Sequence, residues 1–266
     1  MTSTIKKAFL SASIALISFN AQATLTSYNP NGVDLVYSSV SNVTWTKDGN
    51  LLGTMFASQG FSTVVNNILS VSPYPLNSNA FSDGGYATWS GAMAFINYLN
   101  ITNYGGSSQW RLPTFSDIGA PGVQYGFNGT DGGLNTYTNG TVSGNEFAEL
   151  YYQELGSKGT KDTHGTYQPD YGIKDYNNKF NNEVSSYYWS DAPLTDYKYY
   201  FNTSTGYQGY SMYSSNLFSV WAVSPGQISA ITTGPSTNPV PEADSYALML
   251  AGLGLISIVT RRNKKA

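Results

Sequence analysis

Arg111 is the only arginine before residue 261, and it stands in the segment Trp110-Arg111-Leu112-Pro113-Thr114. A guanidinium fork can grip the carboxylate of an acidic sugar through two parallel hydrogen bonds. It can equally clamp loop carbonyls or an internal carboxylate such as Asp117 while Trp110 packs in the core. The apolar neighbours Trp110, Leu112 and Pro113 fit the second role better. Two carboxylate pairs also invite chemistry, Glu146 with Glu149 and Asp191 with Asp196. Glycoside hydrolysis needs two such groups about 5–10 Å apart across a cleft, and the helical spacing of the first pair reads instead as a solvated face. His164 is the sole histidine and lies in the polar stretch KDTHGTYQPD, which reads as an exposed loop. One histidine cannot build a His-rich metal site. No nucleophile-elbow glycines accompany any serine. The expectation is a protein that is not an enzyme.

Binding residues are easier to find. The loop DYGIKDYNNKFNNE offers Asp170, Asp175 and Glu183, with Asn177 and Asn178 between them. These are the hard oxygen donors calcium prefers, although their spacing is not that of an EF-hand. Calcium is therefore the one cofactor the sequence suggests. Further on, YKYYFNTSTGYQGYSMY alternates aromatic residues. Alternation places Tyr197, Tyr199, Phe201 and Tyr207 inward and leaves Tyr200, Tyr210 and Tyr213 to present rings outside. Exposed tyrosine rings beside amides suit stacking on sugar rings, and equally suit protein partners.

Composition limits what must position these residues. The chain has 266 residues, 15% aromatic and only 11% charged, with 22 tyrosines, 27 glycines and no cysteine. Average domains carry about 25% charged residues. The mix describes a loop-rich, strand-containing fold with a hydroxyl and amide surface. Between residues 24 and 240 there are 14 carboxylates against 7 cations, a net charge near -7. Phosphate backbones need clustered cations, so nucleic acid is not a partner.

The two ends read as addresses. Lys6 and Lys7 precede an apolar run from Ala8 to Phe19, and Ala21-Gln22-Ala23 supplies a small-x-small cleavage pattern, so residues 1–23 read as an export signal and Thr24 as the mature start. Thr232 to Pro239 reads as a linker, so the external domain spans residues 24–231. From Tyr246 to Val259 no charge occurs, and Arg261, Arg262, Lys264 and Lys265 follow. A helix over 246–259 is about 21 Å long, short of the ~30 Å hydrocarbon core. It suits transient membrane residence with the basic tail cytoplasmic.

Strand composition marks Leu35 to Trp45, with a turn at KDGN. Helical spacing marks Thr88 to Leu99, with Thr88 or Ser90 as cap, and Glu146 to Leu155, with Gly156 as stop. A hairpin around Gly206 and a buried strand in LFSVWAVSP close the pattern. Two helices and a late antiparallel sheet make an α+β domain, followed by the C-terminal hydrophobic helix.

Two resemblances add to this. Val240-Pro241-Glu242-Ala243, the run YALMLAGLGL and the basic end resemble the PEP-CTERM sorting signal of Gram-negative exopolysaccharide producers, with Ala243 where that family has proline. The resemblance implies processing by an exosortase, a membrane transpeptidase, and delivery to the cell surface or extracellular matrix. TWSGAMAFINYLNITNYGGSSQWRLPT, NEFAELYYQELG, YYWSDAP and FSVWAVSPGQ resemble the Lcl C-terminal-domain family over residues 43–228, with Ser224 in place of its usual arginine. That implies a C-type-lectin-like or formylglycine-generating-enzyme-like architecture. The oxidase of that fold needs cysteines, which are lacking here. The expectation is an exported surface or biofilm-matrix protein that binds polysaccharide or mediates adhesion, or else one that builds the matrix without a defined ligand. A polysaccharide-acting enzyme is the third reading.

Overall fold

The stretch from Leu35 to Trp45 folds back on itself. In a computed structural model of the chain, which describes residues 24–115, 136–137, 145–162, 165–191 and 198–230, strands β1 (Leu25–Tyr28), β2 (Leu35–Ser38) and β3 (Val43–Thr46) form an antiparallel meander. Asn42, at φ 53°, helps turn β2 into β3, a left-handed conformation asparagine tolerates. One expected strand is thus two.

Two helices follow that the sequence pattern did not announce, α1 (Leu51–Gln59) and α2 (Phe61–Ser70). Asp48 organises the start of α1 by accepting hydrogen bonds from the Asn50 amide at 2.9 Å and the Thr54 hydroxyl at 2.6 Å. Gly60, at φ 88°, separates the two. Gly53 and the β-branched Thr63, Val64 and Val65 lower helix propensity here. Burial of Leu51, Leu52, Met55, Phe56, Val64, Val65 and Ile68 overrides it.

The short hairpin β4 (Phe81–Ser82) and β5 (Tyr86–Ala87) leads into α3 (Trp89–Ile101), where the Thr88 hydroxyl accepts from the Gly91 amide at 3.1 Å as the expected cap. After β6 (Thr136–Tyr137), α4 (Glu146–Ala148) does not continue as the regular helix expected to Leu155. It widens into a π-turn over Glu149–Glu154, in which the Leu155 amide reaches back to the Leu150 carbonyl at 2.9 Å. Gly156, at φ 64°, ends it as expected. The strands β7 (Tyr187–Ser190), β8 (Lys198–Asn202) and β9 (Tyr207–Ser211) form the expected late antiparallel sheet. LFSVWAVSP is two strands rather than one, β10 (Phe218–Ser219) and β11 (Val223–Pro225).

One sheet runs β1-β2-β3-β11 and the other β4-β5-β10-β7-β8-β9-β6, with β10 and β7 parallel. The split of β10 from β11 lets β11 pair antiparallel with β3, so the last described strand completes the first sheet. The mixed helix-and-sheet character agrees with an α+β domain. Beneath the elements lie two large cores. One is largely aliphatic and gathers α1, α2 and α3. The other is aromatic, built from Trp45, Phe147, Tyr151, Phe180, Tyr188, Phe201 and Trp221. Among the described residues no helix is long and apolar enough to cross a membrane. The export signal, the linker, the sorting residues Val240 to Ala243, the apolar run 246–259 and the basic tail all lie outside the described residues.

Candidate functional site

Arg111 turns out to be a clamp. Its guanidinium donates to both carboxylate oxygens of Glu146, at 2.7 and 2.6 Å, and to its neighbour's carbonyl, Leu112 O, at 3.1 Å. Glu146 Oε2 also accepts from the Thr114 amide at 2.7 Å. The partner is Glu146 rather than Asp117, which lies outside the described residues. Around it segments far apart in the sequence meet. The Arg111 backbone pairs both ways with Val223 of β11, the Phe115 amide donates to the Asp191 carbonyl just past β7, and Trp110 donates from its indole to Tyr104 O. Ser224, standing where an arginine was expected by resemblance, is buried and hydrogen-bonded to Ser107 at 2.7 Å. Arg111 holds loops together, and the paired edge of its fork is occupied by Glu146 while the side chain stays 30% exposed.

The solvated-face reading of Glu146 and Glu149 is overturned, since they are only 5% and 4% exposed. The bidentate arginine and the Thr114 amide compensate the burial of the Glu146 carboxylate. The nearby Asn145 side chain donates to Gln208 of β9 and accepts from the Ala148 amide at 3.3 Å. This ties α4 to the late sheet. At the far end of the π-turn, burial pushes the Glu154 carboxyl up to about 7, with Glu149 adding to the rise while Ser38 and the Val40 amide oppose it.

The open surface lies elsewhere, on residues 156–183. Three cavities are lined by this segment. The first, of about 390 Å³, is bordered by Thr24, Leu25, Glu154, Asn177 and Lys179. A second, of about 250 Å³, is bordered by Ile173, Asp175, Asn178, Phe180 and Glu183. A third, of about 180 Å³, has Gly156, Lys158, Asp170, Lys174 and Tyr176 around it. The same segment carries the most exposed aromatic rings among the described residues, Tyr176 at 75% and Tyr167 at 73%, with Tyr171 also exposed. Lys161 sits over the Tyr167 ring, 4.9 Å from its centre.

Of the three calcium residues, Asp175 and Glu183 come together while Asp170 stands apart. Asp175 and Glu183 border one cavity and Asp170 another. Among the described residues no three acidic or histidine side chains are grouped to hold a metal ion. Asp175 instead shapes its own turn, accepting from the Phe180 amide at 2.7 Å and the Asn177 amide at 3.3 Å. Burial, then the proximity of Asp175, raises the Glu183 carboxyl above its usual range.

The hairpin tyrosines divide. Tyr199 and Phe201 are core, as alternation has it. Tyr213 is 66% exposed, as expected. Tyr200 is half-buried, edge-on to Tyr187 at 5.1 Å and to Phe218 at 5.4 Å, and Tyr210 is half-buried against Phe115 and Tyr199. The sheet face that should have shown them to solvent is covered by neighbouring rings. Tyr197, His164 and Asp196 lie outside the described residues. Tyr167, Tyr171 and Tyr176 were missed as surface residues because no periodicity marks a loop. Their signal was company: each stands among Gly, Asn, Asp, Gln or Lys, with few apolar neighbours.

Comparison with known proteins speaks to the other end of the chain. Residues 239–265 match the PEP-CTERM protein-sorting motif. No curated protein and no solved structure matches the chain. The motif implies processing by an exosortase and export through a Gram-negative cell envelope. The Lcl-like reading of residues 43–228 and the C-type-lectin-like architecture find no support in these comparisons.

Proposed function

We propose that the exported domain binds carbohydrate at the cell surface or in the exopolysaccharide matrix, without catalysis, through its 156–183 face. The observation that carries this reading is the Tyr176 ring, three-quarters exposed at a cavity bordered by Asp170, Lys158 and Lys174. An exposed ring supplies an apolar face for a sugar, and flanking carboxylate, ammonium and amide groups supply hydrogen bonds to its hydroxyls. Two further exposed tyrosines on the same segment extend the area available to a polymer. The pairing of Arg111 with Glu146 and the acidic net charge favour neutral glycans over sulfated ones. Glu146 and Glu149 face inward, which supports binding rather than hydrolysis.

The test is calorimetric titration of the exported protein with purified exopolysaccharide from the producing cell, with and without calcium. Saturable heat that Tyr176→Ala reduces by about tenfold or more in affinity supports the reading. Absence of heat under both conditions leaves a structural matrix protein as the better account, and release of reducing ends would show an enzyme.

A further inference from the structure

Glu154 is an unusual guest at the end of the π-turn. Neither of its carboxylate oxygens is reached by solvent, and neither makes a hydrogen bond of good geometry among the described residues, although the Ser38 hydroxyl and the Val40 amide lie close by. A buried carboxylate without well-placed donors is costly in general, so such a group suits a partner that brings them. Its surroundings name the candidate. The cavity it borders is closed on one side by Thr24 and Leu25. Across the β1–β2 pair, the Thr24 amide donates to the Ser39 hydroxyl at 3.0 Å, and the Ser39 amide donates to Thr24 O at 3.2 Å. Glu154 in turn lies against Ser38 and the Val40 amide, on either side of Ser39. Thr24 N and Glu154 therefore meet the same short segment, Thr24 at Ser39 and Glu154 at the residues on either side of it.

The sequence supplies the rest. Thr24 directly follows Ala21-Gln22-Ala23, the small-x-small pattern that ends the export signal. Inside the longer chain Thr24 N is an amide with one hydrogen, and that hydrogen is already spent on Ser39. Hydrolysis of the Ala23–Thr24 bond consumes one water, leaves a carboxylate on Ala23 and turns Thr24 N into an ammonium with three donors. Two of them are then free, and an α-ammonium is largely charged at neutral pH.

We propose that this cavity is a binding site for an ammonium group, and that its occupant is the mature chain's own terminus, Thr24 N, paired with Glu154 after the export signal is removed. The pair locks β1 onto the π-turn only in the processed protein. It also returns the Glu154 carboxyl toward its ordinary range, since a neighbouring positive charge favours the ionised form. Lys179 borders the same cavity, and Glu149 acts on Glu154 from within its own turn. Lys179 is the competing cation, but it leaves both Glu154 oxygens unbonded.

The inference rests on removal of residues 1–23, so the first step is to sequence the amino terminus of the exported protein. A start other than Thr24 overturns the proposal at its premise. With that start in hand, melting temperature is compared at pH 7.5 between this protein and one carrying an extra glycine before Thr24. The processed protein should melt about 3–6 °C higher, and Glu154→Gln should erase the difference. Lys179→Gln should not erase it. A second readout needs no variant: at pH 7 the Thr24 amine should react with an acylating reagent at least fivefold more slowly than the extended chain's terminal amine. Equal melting and equal reactivity overturn the proposal, as does a difference that survives Glu154→Gln or vanishes only in Lys179→Gln.

Discussion

The two cores of this domain are held by different physics. The helical one is largely aliphatic: α1, α2 and α3 bring leucine, valine, isoleucine and alanine together, with Phe56, Phe81, Phe95, Trp110 and Trp189 buried among them. Such residues fill space by volume alone and tolerate small errors. The sheet core is aromatic and directional. Trp221 meets Trp45 at 5.2 Å, Phe180 at 4.9 Å and Tyr188 at 5.5 Å, while Phe147 stacks on Phe201 at 5.5 Å. Three of its polar groups are tied off by backbone carbonyls, although Trp45 Nε1 finds no partner among the described residues. Trp221 donates to Thr46 O at 2.9 Å, Tyr188 to Gly49 O at 3.1 Å and Tyr151 to Lys158 O at 2.6 Å. Burial raises the Tyr151 and Tyr188 hydroxyl pKa values, so both stay protonated donors. The sheet core is therefore the one with few substitutes, and it is the one that presents the open loop face.

Trp221→Ala should break the comparison most forcefully. It removes the ring that links four aromatic neighbours, at about 3–5 kcal/mol, and exported yield should collapse. Arg111→Ala follows at about 2–4 kcal/mol, because it strands the buried Glu146, with some relief from the arginine's partial exposure. Arg111→Lys should recover less than half of that in denaturant melts, because an ammonium cannot make the paired bonds. In the helical core Ile68→Val should cost only about 0.5–1.5 kcal/mol. A loss equal to that of Trp221→Ala would erase the distinction between the cores.

A titration sharpens it further. In a chain extended before Thr24, the folded Glu154 carboxyl sits at about 7 against an ordinary 4.5. Between those pH values the folded state holds more protons than the unfolded one, so stability falls as pH rises through this window. Relative to Glu154→Gln, the extended chain should lose melting temperature from pH 4.5 to 7 and stay level above it. The smallest effect belongs to the surface: Tyr213→Ala should change stability by less than about 0.5 kcal/mol.

Periodicity was a good guide wherever one face of an element is buried. It found α3 with its Thr88 cap, the β8–β9 hairpin and the Gly156 stop. It failed at α1 and α2, whose glycine and β-branched residues argue locally against a helix that packing then imposes. It failed again at Glu146, because charge spacing on a helix carries no record of what lies opposite. For the binding face, composition was informative and residue choice was not: Tyr200 and Tyr210 are covered, while Tyr176 is open.

What the chain determines by itself is its address, since the sorting motif at residues 239–265 is a linear signal read by another protein and needs no fold around it. It also determines the acidic, cysteine-free, tyrosine-rich character of the exported part. Only the tertiary structure decides that Arg111 spends its fork on Glu146, 35 positions away, and that Thr24 and Glu154 border one cavity from 130 positions apart. Pairing and burial are properties of distance in space, and distance along the chain does not encode them until the sheets close.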